Sequence, residues 1–204
     1  MIDRPRDGGE ELTRGSGDDE GASARQASRI SIRIDDLAFY SGSAIARPVT
    51  AELAATTPLL RRLEVAGGER LAKQLRLSEP LPVGSAVVTG AGSLGVELMI
   101  HAVVMSVTER VSRDSVRRAV TSTLHRAADW EIRELGIPPF GLGAGNLDPD
   151  ESADAMMDVI FRHLGRARYP ERVTIVVENE DEERAFASRL QFRTAGGAEH
   201  GGER

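Results

Sequence analysis

The stretch Val83-Gly-Ser-Ala-Val-Val-Thr-Gly-Ala-Gly-Ser-Leu-Gly-Val-Glu-Leu-Met-Ile-His-Ala-Val-Val104 decides the fold class. A membrane-spanning helix wants roughly 20 unbroken apolar residues. Here Gly84, Gly90, Gly92 and Gly95 divide the run, and Glu97 and His101 sit inside it. Ala86-Val-Val-Thr89 and Leu98-Met-Ile-His-Ala-Val-Val104 are short β-branched runs around a Gly-rich turn, which is the pattern of two buried strands. Gly90-Ala-Gly-Ser-Leu-Gly95 matches G-x-G-x-x-G literally, but a dinucleotide fingerprint needs a helix next, so that phosphate meets its N-terminus. A strand follows instead, and a hairpin-like turn is the better reading.

Outward from this hairpin, strands and helices alternate. Ile30-Ser-Ile-Arg-Ile34 alternates apolar and polar residues as a strand does. Ala44-Ile-Ala-Arg-Pro-Val49 is a second strand whose Pro48, lacking an amide, belongs at a sheet edge or strand terminus. Thr57-Pro58 has the form of an N-cap and first-turn proline, followed by a Leu59, Leu60, Leu63 stripe; Gly67-Gly68 ends that helix and another runs to about Leu77. From Ser112, Val116, Val120, Leu124 and Ala128 lie four apart on one helical face. Ile132 to Pro138 is ambiguous by period. Asp148-Pro149-Asp150-Glu151 opens a helix reaching Leu164. Arg172 to Val177 is a buried strand, and Asn179 with Glu182 caps a last helix whose Phe186 and Leu190 face inward. Such alternation predicts an α/β fold with a mostly parallel, helix-covered sheet, in which ligands bind outside the carboxyl ends of strands.

Composition narrows the chemistry. The 204 residues are 40% hydrophobic and 28% charged, as in a globular protein of one domain with residues to spare. There is no cysteine, so disulfides, thiol nucleophiles and Cys-based zinc sites are excluded. Lys73 is the only lysine and has no glycine loop before it, which excludes a P-loop NTPase. The net charge of −6 argues against duplex nucleic acid as a partner. Residues 1–28 hold seven acids, four arginines and five glycines with almost no large apolar residue, and are expected to be disordered. They lack the apolar core of a signal peptide. The folded unit is expected over 29–192, with residues 193–204 a flexible tail. No membrane partner is expected.

The candidate chemistry lies in loops. Gly141-Leu-Gly-Ala-Gly145 follows Pro138-Pro139 and leads into the helix capped at Asp148, so its amides could approach an anion without Cβ obstruction. A turn whose glycines only meet backbone angles fits the spacing equally. Asp35-Asp36 after the first strand reads as a solvated turn, or as an acceptor for a ligand amine. His101 reads as a hydrogen-bonded core histidine. The four histidines are far apart in sequence, no metal-ligand spacing or G-x-S-x-G elbow occurs, and neither metal nor cofactor is expected.

Asp36, Val83 to Leu94, Ile100-His-Ala-Val103 and Pro138-Pro-Phe-Gly-Leu-Gly-Ala-Gly-Asn-Leu147, in this order, resemble the macro domain, an ADP-ribose-binding module, in a divergent stand-alone bacterial form. The resemblance runs from about Arg29 to Phe192. It implies a three-layer α/β/α sandwich with a mixed, mostly parallel central sheet and a cleft at strand ends. It also implies that Asp36 bonds the adenine amino group, that the Leu37 amide assists, and that Gly141, Leu142, Gly143, Ala144 and Gly145 cradle a diphosphate. Leu142 replaces a common threonine, and no aromatic follows to stack on the distal ribose. Where the family has V-N-A-A-N, this chain has Ala46-Arg-Pro-Val-Thr50, placing Arg47 and Thr50 where asparagines stand and making Thr50 a candidate ligand contact. Where the family has glycines opening a helix, it has Thr56-Thr-Pro-Leu-Leu-Arg61, so Pro58 deletes a donor.

Three functions follow from the resemblance. A binding module for ADP-ribose or a related adenine nucleotide diphosphate ranks first, with an ADP-ribosylated protein as a further partner. A macro-fold scaffold with a degenerate cleft, acting in protein interaction, ranks close behind. An ADP-ribosyl hydrolase ranks last, because hydrolysis needs a positioned water and a preorganised ribose. If the cleft is retuned, Arg47 and Arg61 are candidate phosphate contacts; otherwise they face solvent or pair with Glu52 and Glu64. A bacterial cytoplasmic location is expected.

Overall fold

The computed structural model describes residues 16–76, 79–143 and 147–195. In chain order they form α1 (Ser16–Ala27), β1 (Ile30–Ile34), a 3-10 turn (Leu37–Phe39), β2 (Ala44–Thr50), α2 (Pro58–Gln74), β3 (Ala86–Gly90), β4 (Leu98–Met105), α3 (Arg113–Asp129), β5 (Glu134–Ile137), α4 (Pro149–Leu164), β6 (Arg172–Val177) and α5 (Glu180–Ala195). One six-stranded sheet has the order β1-β6-β5-β2-β4-β3. Every pairing is parallel except β3 with β4, the hairpin around the Gly90–Gly95 turn.

The period-2 alternation of the strands builds the layers. Ala44, Ala46, Ile100, Ala102, Ile175 and Val177 point into the larger core under α3, α4 and α5. Their neighbours Ile45, Met99 and Val176 point into a second core with Leu60, Leu63 and Leu71 of α2 and with Leu37. The fold is therefore an α/β/α sandwich around a mixed, mostly parallel sheet. Among the described residues no helix is long and apolar enough to cross a membrane.

Caps set the helix starts. The Ser112 and Asp148 side chains accept from the amides three residues on, and the Ser115 and Glu151 side chains return the bond, closing two capping boxes. Thr57 caps α2 and Pro58 opens it, while Gly68 (φ 73°) kinks that helix where the sequence predicts a break.

Two expectations change. The segment ahead of β1 is helical over 16–27 and packs against α4 and α5, and not disordered throughout; residues before 16 lie outside the described residues. Averaging composition over the whole segment hides the half-buried Ala22, Gln26 and Ala27, the last of which rests on the larger core. The helix is anchored beyond its end by Arg29, whose guanidinium donates to the carbonyls of Leu164, Ala167, Arg168, Pro170 and Glu171. At the other end α5 continues to Ala195, so residues 193–195 are helix.

The second change concerns Pro48. β2 is central, not an edge strand, and Pro48 pairs in register with Ala102 of β4. On its other side β2 pairs β5 only through Ala44 and Ile45. Beyond Ile45 the two strands carry no ladder, so the missing Pro48 amide faces a gap. The chain also turns in opposite directions after β2 and β5, making this gap a topological switch point, where α/β sheets place ligands.

Candidate functional site

A cleft of about 380 Å³ opens at this gap, lined by Pro48 of β2, Thr57 to Leu60 and Arg62 at the start of α2, Pro138, Pro139, Leu142 and Gly143 after β5, and Val176, Glu178 and Glu182 around the end of β6. The sequence-identified glycine loop and the start of α2 thus form its two facing walls. Gly143, at φ 72°, lies so close to α2 that a Cβ there would stand 2.9 Å from the Thr57 methyl. Gly141 (φ 93°) turns the loop back so that the Leu147 amide bonds its carbonyl at 3.3 Å. The loop is pinned from below by buried Phe140, whose carbonyl accepts from Ser152 Oγ at 2.8 Å. Ala144 and Gly145, the remaining residues of the expected cradle, lie outside the described residues.

Asp36 stands beyond the end of β1; neither it nor Leu37 is among the residues lining the cleft, but its charge acts on Glu178, which is. Its Oδ1 accepts from the Ala38 amide at 2.9 Å, capping the 3-10 turn. Among the described residues neither Asp36 Oδ2 nor the Leu37 amide has a hydrogen-bond partner in the protein, so an acceptor and a donor stand side by side. The Leu37 side chain is buried in the second core and fixes their orientation.

Glu178, Glu182 and Arg62 complete the cleft; Glu178 and Arg62 were not singled out from sequence, although Glu178 directly follows a strand, and Glu182 was read only as part of a helix cap. Burial raises the Glu178 pKa, with Glu182 and Asp36 raising it further and Arg62 opposing them. Glu182 Oε2 accepts from the Glu178 amide at 2.9 Å and Oε1 accepts from Asn179 Nδ2 at 3.1 Å, so this carboxylate orders the strand end.

Arg47 is no phosphate contact. Alternation along β2 points it at the α2 face, where it is fully buried. Its Nη1 bonds Glu64 Oε1 of α2 at 2.5 Å, Nη2 bonds the Leu53 carbonyl at 3.1 Å, and Nε donates to His101 Nδ1 at 2.9 Å. Every arm of the guanidinium is engaged inside the protein, leaving none for a ligand. His101, its register partner on β4, is the core histidine expected. Because Nδ1 accepts, the ring proton sits on Nε2 and bonds Thr89 Oγ1 at 2.8 Å. Burial first, and the Arg47 charge second, lower the His101 pKa to about 3.

Thr50 does not line this cleft either. Its hydroxyl donates to Glu52 at 2.9 Å and accepts from the Ala54 amide at 3.3 Å, closing the turn after β2. Arg61 is exposed and lines a neighbouring groove of about 780 Å³ that shares Thr57, Pro58 and Arg62 with the cleft. At the start of α2 the Leu60 amide is taken by Thr57 Oγ1 and Pro58 has none, so little of the usual anion-binding helix end remains. Among the described residues no group of three or more His, Cys, Asp or Glu is placed to hold a metal ion.

Comparison with known proteins agrees with this architecture. The Macro domain family matches residues 55–156. An uncharacterized protein of Mycobacterium tuberculosis is 32% identical over 126 residues, 62% of this chain and 34% of its own length. The chain thus spans about a third of the mycobacterial relatives it matches. An O-acetyl-ADP-ribose deacetylase of Enterobacter cloacae is 29% identical over 102 residues, 49% of this chain and 57% of that protein. Among solved structures, the Oceanobacillus iheyensis macrodomain with ADP superposes with a TM-score of 0.71 at 16% identity, covering 81% of this chain and 91% of that one. The Trypanosoma brucei macrodomain in complex with ADP-ribose gives 0.71 at 14% identity, covering 78% and 68%. The family match, the sheet order and the cleft at the β2/β5 gap agree: the chain belongs to the macro domain family.

Proposed function

We propose that the chain binds ADP-ribose or a related adenine nucleotide diphosphate in the cleft between β2 and β5, without efficient hydrolysis of ADP-ribosyl groups. The observation that carries this reading is the approach of the Gly141–Gly143 loop to Thr57, with Asp36 and Leu37, near Glu178, presenting an acceptor and a donor that have no partner among the described residues. That acceptor–donor pair suits an adenine edge, and the loop from Gly141 through Leu142 and Gly143 to Ala144 and Gly145 suits the diphosphate. Arg61, which lines the adjoining groove, is the residue this reading assigns to a terminal phosphate. An ADP-ribosylated protein is a further partner of the same cleft, and a bacterial cytoplasm is the proposed setting.

The argument against efficient hydrolysis is local. Arg47 and Thr50 stand where the resemblance puts asparagines, and both side chains are engaged inside the fold. Pro58 removes an amide from the wall where a distal ribose and its water would be held. Calorimetric titration with ADP-ribose tests binding, with saturable heat expected. Absence of binding at millimolar ligand favours the scaffold reading. The deacetylase name carried by the Enterobacter relative supports keeping a hydrolase, ranked last on sequence, as a further reading. Release of ADP-ribose from a modified carboxylate, well above buffer and lost on altering the cleft, would establish it.

A further inference from the structure

A second cavity, of about 450 Å³, lies between the carboxyl-terminal ends of α3 and α4 and shares no lining residue with the cleft. Its polar lining is Thr121 and His125 from α3, Arg162 and His163 from α4, and Arg166 just beyond; Val159, Ala128 and Ala167 form an apolar floor. No carboxylate lines it. The neighbouring cavity, which shares Thr121, Val159 and Arg162, contains Asp158, but that carboxylate is paired with Arg193.

Most arginines of this helical layer are spoken for: Arg113, Arg118, Arg126, Arg189 and Arg193 are each ion-paired within the chain. Among the described residues Arg162 and Arg166 have no such partner, and both line the cavity; Arg117 has none either, but lines only the neighbouring cavity. Cations near a helix end often serve to satisfy its last carbonyls. Here that role is filled by others. The Phe161 and His163 carbonyls accept from the Gly165, Arg166 and Ala167 amides, and the Leu164 carbonyl accepts from Arg29. Three of the last four carbonyls of α4 are thus satisfied without the guanidinium groups of Arg162 and Arg166. The His163 ring is held in place by its Nε2 donating to the Tyr169 carbonyl at 2.8 Å, and it stands 5.9 Å from the His125 ring, centroid to centroid.

We infer that this cavity is a second anion site, for a small phosphate monoester. Arg162 and Arg166 grip the phosphate, His125 adds a hydrogen bond, and the body of the ligand rests on Val159, Ala128 and Ala167, with the Thr121 hydroxyl already donated to the Arg117 carbonyl at 2.7 Å. Two guanidinium charges match a phosphate monoester, which carries close to two negative charges at pH 7, better than a single carboxylate. The volume exceeds what one phosphate fills, so the apolar floor gives an organic ester an advantage over the free ion.

The test is a titration of the full chain with inorganic phosphate and with phenyl phosphate at fixed ionic strength, following the imidazole resonances of His125 and His163 by NMR. Saturable shifts of both rings are expected, with phenyl phosphate the tighter ligand. The Arg162→Gln/Arg166→Gln variant should lose roughly tenfold or more in affinity, with its thermal midpoint serving as the check on folding. Tighter binding of inorganic phosphate than of the ester would overturn the assignment to a monoester. Equal shifts with sodium chloride, or shifts unchanged in the double variant, would overturn the site altogether. If the double variant does not fold, Arg166→Gln alone, on an exposed side chain beyond α4, is the fallback and should still weaken binding severalfold. None of these outcomes depends on whether the cleft binds ADP-ribose.

Discussion

Arg47 Nε donates to His101 Nδ1 at 2.9 Å, joining adjacent strands at one register position and dictating the tautomer of a fully buried imidazole. The same guanidinium holds Glu64 on α2 and the carbonyl of Leu53, a residue in the left-handed region at φ 61°. One side chain thereby ties β2, β4, α2 and the turn after β2 together, directly behind the cleft wall.

Breaking this network should cost stability before it touches binding. Glu64→Ala leaves a buried guanidinium without its counter-ion and is expected to destabilise the fold by about 3 kcal/mol or more. Urea unfolding of parent and variant measures it. A change below about 0.5 kcal/mol would mean the pair contributes no more than a surface ion pair.

The His101 proton gives a pH signature. Its folded pKa of about 3 lies below the ordinary 6.5, so the unfolded chain binds a proton that the folded chain refuses. The stability this confers is complete above pH 6.5 and is lost as pH falls from there toward 3. Between pH 7 and 5.5 the stability difference between parent and His101→Gln should shrink by roughly 1 kcal/mol. A difference constant across that interval would contradict a neutral, Arg47-bonded ring.

In the cleft, Asp36→Ala should weaken ADP-ribose binding by roughly tenfold or more, since a charge-assisted bond to an exocyclic amine contributes on the order of 1.5–3 kcal/mol. Calorimetry gives the ratio directly. Equal affinities would remove Asp36 from the adenine end.

Gly143→Ala sets a Cβ at 2.9 Å from the Thr57 methyl on a backbone at φ 72°. The backbone conformation alone disfavours alanine by roughly 1–2 kcal/mol, so the loop should shift and ADP-ribose affinity fall severalfold. Adding Thr57→Ser deletes the offending methyl and should restore part of the loss. No recovery would show that the backbone angle, and not the contact, closes the loop.

Arg61 separates two nucleotide preferences. If it meets a terminal phosphate, ADP or ATP binds more tightly than ADP-ribose, the affinity falls as salt rises, and Arg61→Ala weakens it again. Tighter binding of ADP-ribose, unaffected by Arg61→Ala, would place this exposed side chain outside the ligand's reach.

Much of this protein was legible locally. The caps Thr57, Ser112 and Asp148, the glycine-divided hairpin from Ala86 to Met105, and the Gly141 turn after Pro138-Pro139 each depend on a few neighbouring residues, whose backbone and hydrogen-bonding preferences act at short range. The strand–helix alternation then implied a mostly parallel, helix-covered sheet, and the loop motifs in order implied the family and, through it, the three-layer sandwich. The fate of Arg47 was not local. Pairing with Glu64 was one of the alternatives open to it, but nothing near it in sequence says that β2 lies against β4 with His101 opposite, which buries the pair and closes it to a ligand. Likewise Pro48 is tolerated in a central strand only because β5 leaves β2 after Ile45, and Glu178, Glu182 and Arg62 meet only once the ends of α2 and β6 converge. The short-range signals came from residues within a turn of one another. Strand order, register and the burial of charge were settled by contacts between segments far apart in the chain, where a side chain's surroundings are set by the packing of the whole sheet.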